Sequence, residues 1–312
     1  MIARRIRSWK YVVGMMLMTI ILLGCSTNNT NIGDTQPSIE AQSTHTPSPT
    51  KTLTPVPTST SVPPTPTLGV GSTITSEKDG AILVYVPEGE FTMGSDNARK
   101  DARPAHLVYL DAFWIDQTEV TNKQYAMCVS DGGCKHPLEN RSKTHSDYYG
   151  NSKFDDYPVI FLDWDMAKAY CSWADRRLPT EAEWEKAARG TDQTILPWGE
   201  TINCSYANIN YYDVHPCVGD TAPVRSYPKG VSPYGAYDMI GNVWEWVNDV
   251  YVESYYQESP YENPPGPGSG NIHVMRGGSW VQGRYSVFYR ERFHSDYSSY
   301  TNIGFRCAMS SP

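Results

Sequence analysis

Tyr234-Gly235-Ala236-Tyr237-Asp238-Met239-Ile240-Gly241-Asn242-Val243-Trp244-Glu245-Trp246 is the stretch whose reading decides the fold. Its thirteen residues hold two Trp, two Tyr, an Asp, an Asn, a Glu and two Gly. Aromatic rings bury large areas, carboxylates are costly to bury without partners, and glycine permits backbone angles closed to other residues. Such a mixture belongs in a packed interior, where something must satisfy its polar groups.

Working outward, the 312 residues are 39% hydrophobic, enough for a sizeable core in one or two domains. With 12% aromatic residues, Tyr and Trp carry much of the packing. The net charge of −8 becomes more negative once Arg4, Arg5, Arg7 and Lys10 of the leading segment are set aside. Nucleic acid is therefore not an expected partner, since phosphate binding needs a basic face.

That leading segment predicts an export signal. A basic start precedes an apolar run from Tyr11 to Gly24, too short for a settled membrane span, and Leu22-Leu23-Gly24-Cys25 follows. Residues 1–24 resemble a bacterial lipoprotein signal peptide, with Cys25 as the acylated first residue of an exported chain. The anchor would lie in the cell membrane or outer membrane, with the domain outside the cytoplasm. From Ser26 to Leu68 the sequence is mostly Thr, Ser, Pro and Asn without one aromatic residue. Such a segment cannot bury enough apolar surface to fold and favours extended polyproline II, so residues 25–79 are expected to be a disordered linker. At roughly 3.1 Å per residue the stretch from Ser26 to Leu68 would reach about 130 Å.

The folded part, expected over 80–312, opens with strand-like runs. Ile82 to Val86 and Glu90 to Met93 flank a Pro87-Glu88-Gly89 turn, and His106 to Tyr109 and Ala112 to Ile115 continue the pattern. A helix is expected over Asn122 to Val129, ended by Asp131-Gly132-Gly133, and another over Trp164 to Ala174. Between them, Cys134 to Tyr157 lacks periodicity and reads as a long surface loop. Pro179-Thr180-Glu181-Ala182-Glu183 is a capping box opening a third helix that Gly190 stops. Beyond Leu196 come turns and short apolar runs, so the balance is α+β.

Besides Cys25 the chain has Cys128, Cys134, Cys171, Cys204, Cys217 and Cys307. Six cysteines in an exported domain suggest three disulfides, though many pairings are open. Joining near neighbours gives Cys128–Cys134 and Cys204–Cys217 and leaves Cys171 for Cys307. A zinc site is the competing use, but no paired Cys-x-x-Cys and no His-x-x-x-His spacing is present.

Val86 to Gly94, Arg177-Leu178-Pro179-Thr180-Glu181-Ala182-Glu183-Trp184-Glu185, Gly241 to Trp246, Arg276-Gly277-Gly278-Ser279-Trp280 and Gly304-Phe305-Arg306-Cys307 together resemble the formylglycine-generating enzyme family, the sulfatase-modifying factors. The resemblance implies a single compact C-type-lectin-like domain with low regular secondary structure, held by calcium and disulfides. It also pairs Cys171 with Cys307. It makes Asp238 and Glu245 side-chain calcium ligands, with the carbonyls of Gly241 and Val243. A second calcium site would take Asn208 and Ile209, less securely a Val218 carbonyl, with Asp213 or Asp220 for the aspartate. Calcium takes hard oxygen ligands of these kinds.

The catalytic pair departs from the family. Its oxidases use two cysteines, five residues apart, to bind copper(I) and oxidise a substrate cysteine to formylglycine. Counting from Ser279, those positions are Gln282 and Val287, neither of which offers the soft thiolate that selects copper(I). Copper is therefore not expected. By resemblance Trp244 and Ser279 line the substrate groove, and Arg284, Tyr289, Arg290 and Arg292 would give a polar, partly cationic surface beside Gln282. Two readings follow. One is a non-oxidase binding module, anchored through Cys25, for an envelope or extracellular protein, a peptide or a glycan. The other is an oxidoreductase acting on a protein or peptide through a non-cysteine centre. His273 and His294 flank the motif but lack partners at metal spacing.

Overall fold

The computed structural model describes residues 68–211, 215–281, 285–296 and 300–311. The chain divides into units Met1–Val62 and Pro63–Pro312, and all of these residues lie in the second. The leader, Cys25, Asp213, Gln282 and Arg284 fall outside the described residues.

Short β-branched and aromatic runs become strands wherever one face meets a neighbour. In chain order they are β1 (Thr73–Thr75), β2 (Ile82–Val86), β3 (Gly89–Met93), β4 (His106–Leu110) and β5 (Phe113–Asp116). Three helices follow, α1 (Asn122–Ser130), α2 (Trp164–Trp173) and α3 (Glu181–Arg189). Then come β6 (Asn210–Tyr211), β7 (His215–Pro216), β8 (Trp244–Val250), β9 (Ile272–Arg276), β10 (Glu291–His294), β11 (Ile303–Phe305) and β12 (Ala308–Ser310).

The helix ends obey their capping residues. Thr121 and Gln124 form a capping box on α1, Asp163 accepts from Met166 N at 2.7 Å on α2, and Thr180 and Glu183 form a second box on α3. Each cap satisfies backbone N–H groups that the first turn leaves unpaired. Gly190 ends α3 at φ 72°.

The strands form two four-stranded sheets, ordered β1-β2-β5-β12 and β10-β9-β8-β11, and two separate pairs, β3-β4 and β6-β7. All pairings are antiparallel except β8 with β11, where Glu245 lies beside Gly304. The Pro87-Glu88 turn redirects the chain and does not close a hairpin, for β2 pairs with β5 and β3 with β4. The folded unit also starts upstream of Gly80. β1 pairs with β2, and Asp79 is buried, accepting from Tyr170 Oη at 2.6 Å and pairing with Arg176. Residues 134–157 are held down at several points. Tyr148 is buried and donates to the Pro158 carbonyl, and Ser142 donates to Asp220 at 2.6 Å.

Disulfides Cys128–Cys134, Cys171–Cys307 and Cys204–Cys217 close as expected. Such bonds mark a domain that matures in an oxidising compartment. Cys171–Cys307 ties α2 to the strand β12 end of the chain across 136 residues.

Helix α3 runs through the interior against β3, β4, β8 and β9. All nine of its residues are buried, although five are charged. Each charge is met. Arg276 gives one arm to Glu181 at 2.6 Å and the other to Glu185 at 2.7 Å, Arg290 forks onto Glu181, and Arg189 reaches Glu185 at 2.8 Å. Lys186 donates to the carbonyls of Pro87 and Gly89, and burial lowers its pKa to about 8. Removing one partner of a buried pair strands the other charge. Arg276→Met should therefore lower unfolding stability by about 3–5 kcal/mol in a urea titration.

Candidate functional site

The segment that opened the sequence reading bends sharply before it enters β8. Asp238, Gly241 and Asn242 have φ of 57°, 85° and 54°. At Gly241 an added Cβ would stand 2.4 Å from the Asn208 carbonyl oxygen, so only glycine fits. The close approach lets Asn242 act as a knot. Its amide N–H donates to the Asn208 carbonyl, its Oδ1 accepts from Ala222 N at 2.9 Å, and its carbonyl accepts from Trp280 N. The sequence reading had not singled out Asn242, whose value depends on backbone groups far along the chain.

Beneath this turn lie three buried carboxylates. Glu245 accepts from Arg306 Nε and Nη2 at 2.6 and 2.7 Å and from Trp184 Nε1 at 2.8 Å. Asp238 accepts from the Arg225 amide at 2.8 Å on one oxygen only, and burial lifts its pKa to about 6. Glu119 is fully buried, and neither of its oxygens has a hydrogen-bond donor. Burial first, then repulsion from Asp238 and Glu245, holds its pKa well above the usual carboxylate range. Sequence reasoning missed Glu119, since Thr118-Glu119-Val120-Thr121 reads simply as a lead into α1.

The donor set bears directly on calcium. Among the described residues no three His, Cys, Asp or Glu side chains gather as a metal centre. Calcium also uses carbonyls, however, and unpaired buried oxygens are what a hard cation would satisfy. Both Glu119 oxygens are buried and unpaired and Asp238 accepts from a single backbone amide, so this turn fits a cation, while the charge of Glu245 is already balanced by Arg306. At the second expected site Asn208 Oδ1 is buried and unpaired, which also fits. The Ile209 carbonyl accepts from Cys217 N, and Val218 is exposed. Asp220 is taken up by Ser142, Thr144 and the Thr221 amide, which hold its pKa below the usual range against burial.

Trp244, Trp280, Phe293, Tyr300, Asn302 and Lys143 line a groove of about 350 Å³. Ser279 lies under its floor, fully buried, and accepts from Asn302 Nδ2 at 2.9 Å, so it positions a wall residue and does not face a ligand. Val287 is fully buried in the apolar core, as its side chain dictates. Arg290 is not a groove residue. It is buried on Glu181, because an ionised carboxylate in the interior demands a guanidinium fork. Tyr289 stacks at a tilt on Trp244, and Arg292 donates to Tyr251 Oη. His273 stacks on Trp164 at 3.9 Å and His294 pairs with Asp296. Two larger clefts, of 470 Å³ beside Lys123 and Arg225 and 530 Å³ beside Lys78 and Trp173, have charged rims and lack a wall built by the 234–246 turn. An apolar, aromatic groove with a few polar groups suits a sugar ring or a peptide side chain.

Residues 72–311 match the family model described as sulfatase-modifying factor enzyme 1-like domain. The chain is 35% identical to the serine/threonine-protein kinase pkn1 of Chlamydia caviae over 243 residues, covering 72% of this chain and 37% of that protein. It thus spans well under half the length of that relative. It is 34% identical to the formylglycine-generating enzyme of Mus musculus, covering 72% of this chain and 74% of that one. Among solved structures, PvdO from Pseudomonas aeruginosa superposes with a TM-score of 0.63 and 25% identity, covering 78% of this chain and all of that one.

The Asn242 knot is open to test. Asn242→Ala would orphan the buried Ala222 amide, while Asn208 Nδ2 keeps its bond to the Asp220 carbonyl, at a cost of about 1–3 kcal/mol read as a lower urea midpoint.

Proposed function

Because the chain belongs to the sulfatase-modifying factor family, we propose that it is a binding module built on that family's scaffold, one that does not carry out copper-dependent cysteine oxidation. The single observation that carries this reading is the state of its cysteines. All six of the domain's cysteines are joined in disulfides, and the position expected for a catalytic thiolate is Val287, packed in the core. The other position is Gln282. Copper(I) oxidation needs paired soft sulfur ligands, and a disulfide-bonded sulfur is no thiolate.

The site favours recognition. The groove's aromatic faces offer area at low entropic cost, while Asn302, locked by Ser279, offers a fixed polar group. The ligand would be a peptide, a glycan or an envelope protein presenting such a group. In this reading Cys25 carries the lipid anchor and the Thr/Ser/Pro-rich linker holds the domain away from the membrane. Calcium would stabilise the domain, held by Asp238 with the carbonyls of Gly241 and Val243, and at a second place by Asn208. It would supply positive charge and fix the turn that builds one wall of the groove. The alternative, an oxidoreductase with a non-cysteine centre, finds no three His, Cys, Asp or Glu side chains gathered around His273 or His294 among the described residues.

The test is direct. The purified chain incubated with copper(I), oxygen and a Cys-x-Pro-x-Arg peptide should yield no aldehyde by mass spectrometry. Turnover to formylglycine would overturn the proposal.

A further inference from the structure

We propose that the groove's ligand is a carboxylate-bearing sugar, its ring laid against the aromatic wall and its carboxylate paired with Lys143. The assignment rests on the binding-module reading above and adds to it the class of ligand and the side chain that selects it.

The case begins with charge. Among the described residues that line the groove, Lys143 is the one charged side chain. Its neighbour Arg141 pairs with Glu139 at 3.7 Å, whereas the ammonium of Lys143 has no acidic partner among the described residues. The chain as a whole carries a net charge of −8, so this lone cation runs against the sign of the molecule. Its root is held in place. Ser142, itself 2% exposed, donates to the Asp220 carboxylate at 2.6 Å, and the Thr144 amide and hydroxyl both donate to it at 2.7 Å. The Ser142 amide donates to the His145 carbonyl at 2.7 Å, which closes the turn. Lys143 therefore stands on a braced loop with its own side chain exposed. An ammonium in that position is suited to a charge-assisted bond with a carboxylate.

The aromatic walls select among anions. Trp244, Trp280, Phe293 and Tyr300 surround a space of about 350 Å³. Phe293 and Tyr300 meet edge to face with 5.1 Å between centroids, and Tyr289 backs Trp244 at 5.8 Å, so these rings are set before a ligand arrives. The negative face of an aromatic ring attracts C–H groups. A pyranose ring presents C–H groups on both faces and hydroxyls at its edge, where Asn302 stands. An Asp or Glu side chain has only a short methylene stem, which would leave most of the wall against water. Free phosphate has no apolar surface at all. The volume lies near the lower end of the roughly 300–1,000 Å³ typical of ligand pockets, which suits a short sugar chain and not the face of a folded protein. Beside apolar walls the attraction between ammonium and carboxylate is also less screened than on open surface.

The full chain in detergent is titrated by calorimetry with trisaccharides of glucuronate, galacturonate and mannuronate, with the methyl ester of each, and with a tri-glutamate peptide. The ester keeps the ring and removes only the charge. At least one uronate should bind, and about tenfold more tightly than its ester. Lys143→Gln should cut that preference to about twofold or less, while Lys143→Arg should retain it. Lys229→Gln, at an exposed lysine outside the groove, should bind as wild type. Phe293→Ala should weaken the uronate and its ester alike, which places both in the groove. Lys143 is exposed, so its variants should melt with wild type, and lost affinity is then not lost fold. The assignment is overturned if no uronate binds, if the ester binds as well, or if tri-glutamate binds as tightly as the best uronate. A preference unchanged in Lys143→Gln, or binding unchanged in Phe293→Ala, overturns it too. Each of these outcomes leaves the binding-module reading standing, whereas formylglycine formed in the copper assay would overturn that reading itself.

Discussion

The guanidinium of Arg276 is fully buried, and it grips Glu181 and Glu185 one turn apart on α3. Most of the domain is arranged so that this can happen. Arg276 ends β9, and the glycines that follow turn the chain into Ser279 and Trp280. Arg290 closes on Glu181 from the next stretch, and Glu185 accepts the Gly94 amide at the end of β3. One helix of nine buried residues therefore fixes the β3-β4 pair, strands β8 and β9 and, through Arg276, the segment that follows β9. Buried pairs of this kind offset each other's desolvation and add little net stability. What they impose is geometry, since any shift leaves a charge uncovered.

Glu245 extends the same logic to the 234–246 stretch. Its carboxylate receives Trp184 from α3 and Arg306 from the end of β11, so the central helix, the turn and the C-terminal strands meet at one side chain. The groove is downstream of that arrangement. Trp244 is positioned by β8, Trp280 by the carbonyl of Asn242, and Asn302 by Ser279. Among the described residues all six cysteines are spent on cross-links.

Much of this was legible in the residues. Thr180 and Glu183 announce the start of α3, Gly190 its end, and six cysteines suffice to suggest three bridges. Strand positions were readable from β-branched runs, but their partners were not. β2 neighbours β3 in sequence yet pairs with β5, because pairing is decided by faces buried at long range. Arg290 looked like a groove residue for the same reason. Nothing near it in sequence announces Glu181, more than a hundred residues away. Glu119 was invisible because its distinguishing property is the lack of a donor, which only the assembled interior reveals.

The central claim is that this scaffold holds its cysteines for structure and leaves none for chemistry. The most direct measurement is alkylation of the native, unreduced protein followed by peptide mass spectrometry of Cys128, Cys134, Cys171, Cys204, Cys217 and Cys307. The account predicts no alkylated cysteine among the six and three linked peptide pairs, 128 with 134, 171 with 307 and 204 with 217. Two of these cysteines recovered as reactive thiols in the folded protein would contradict it.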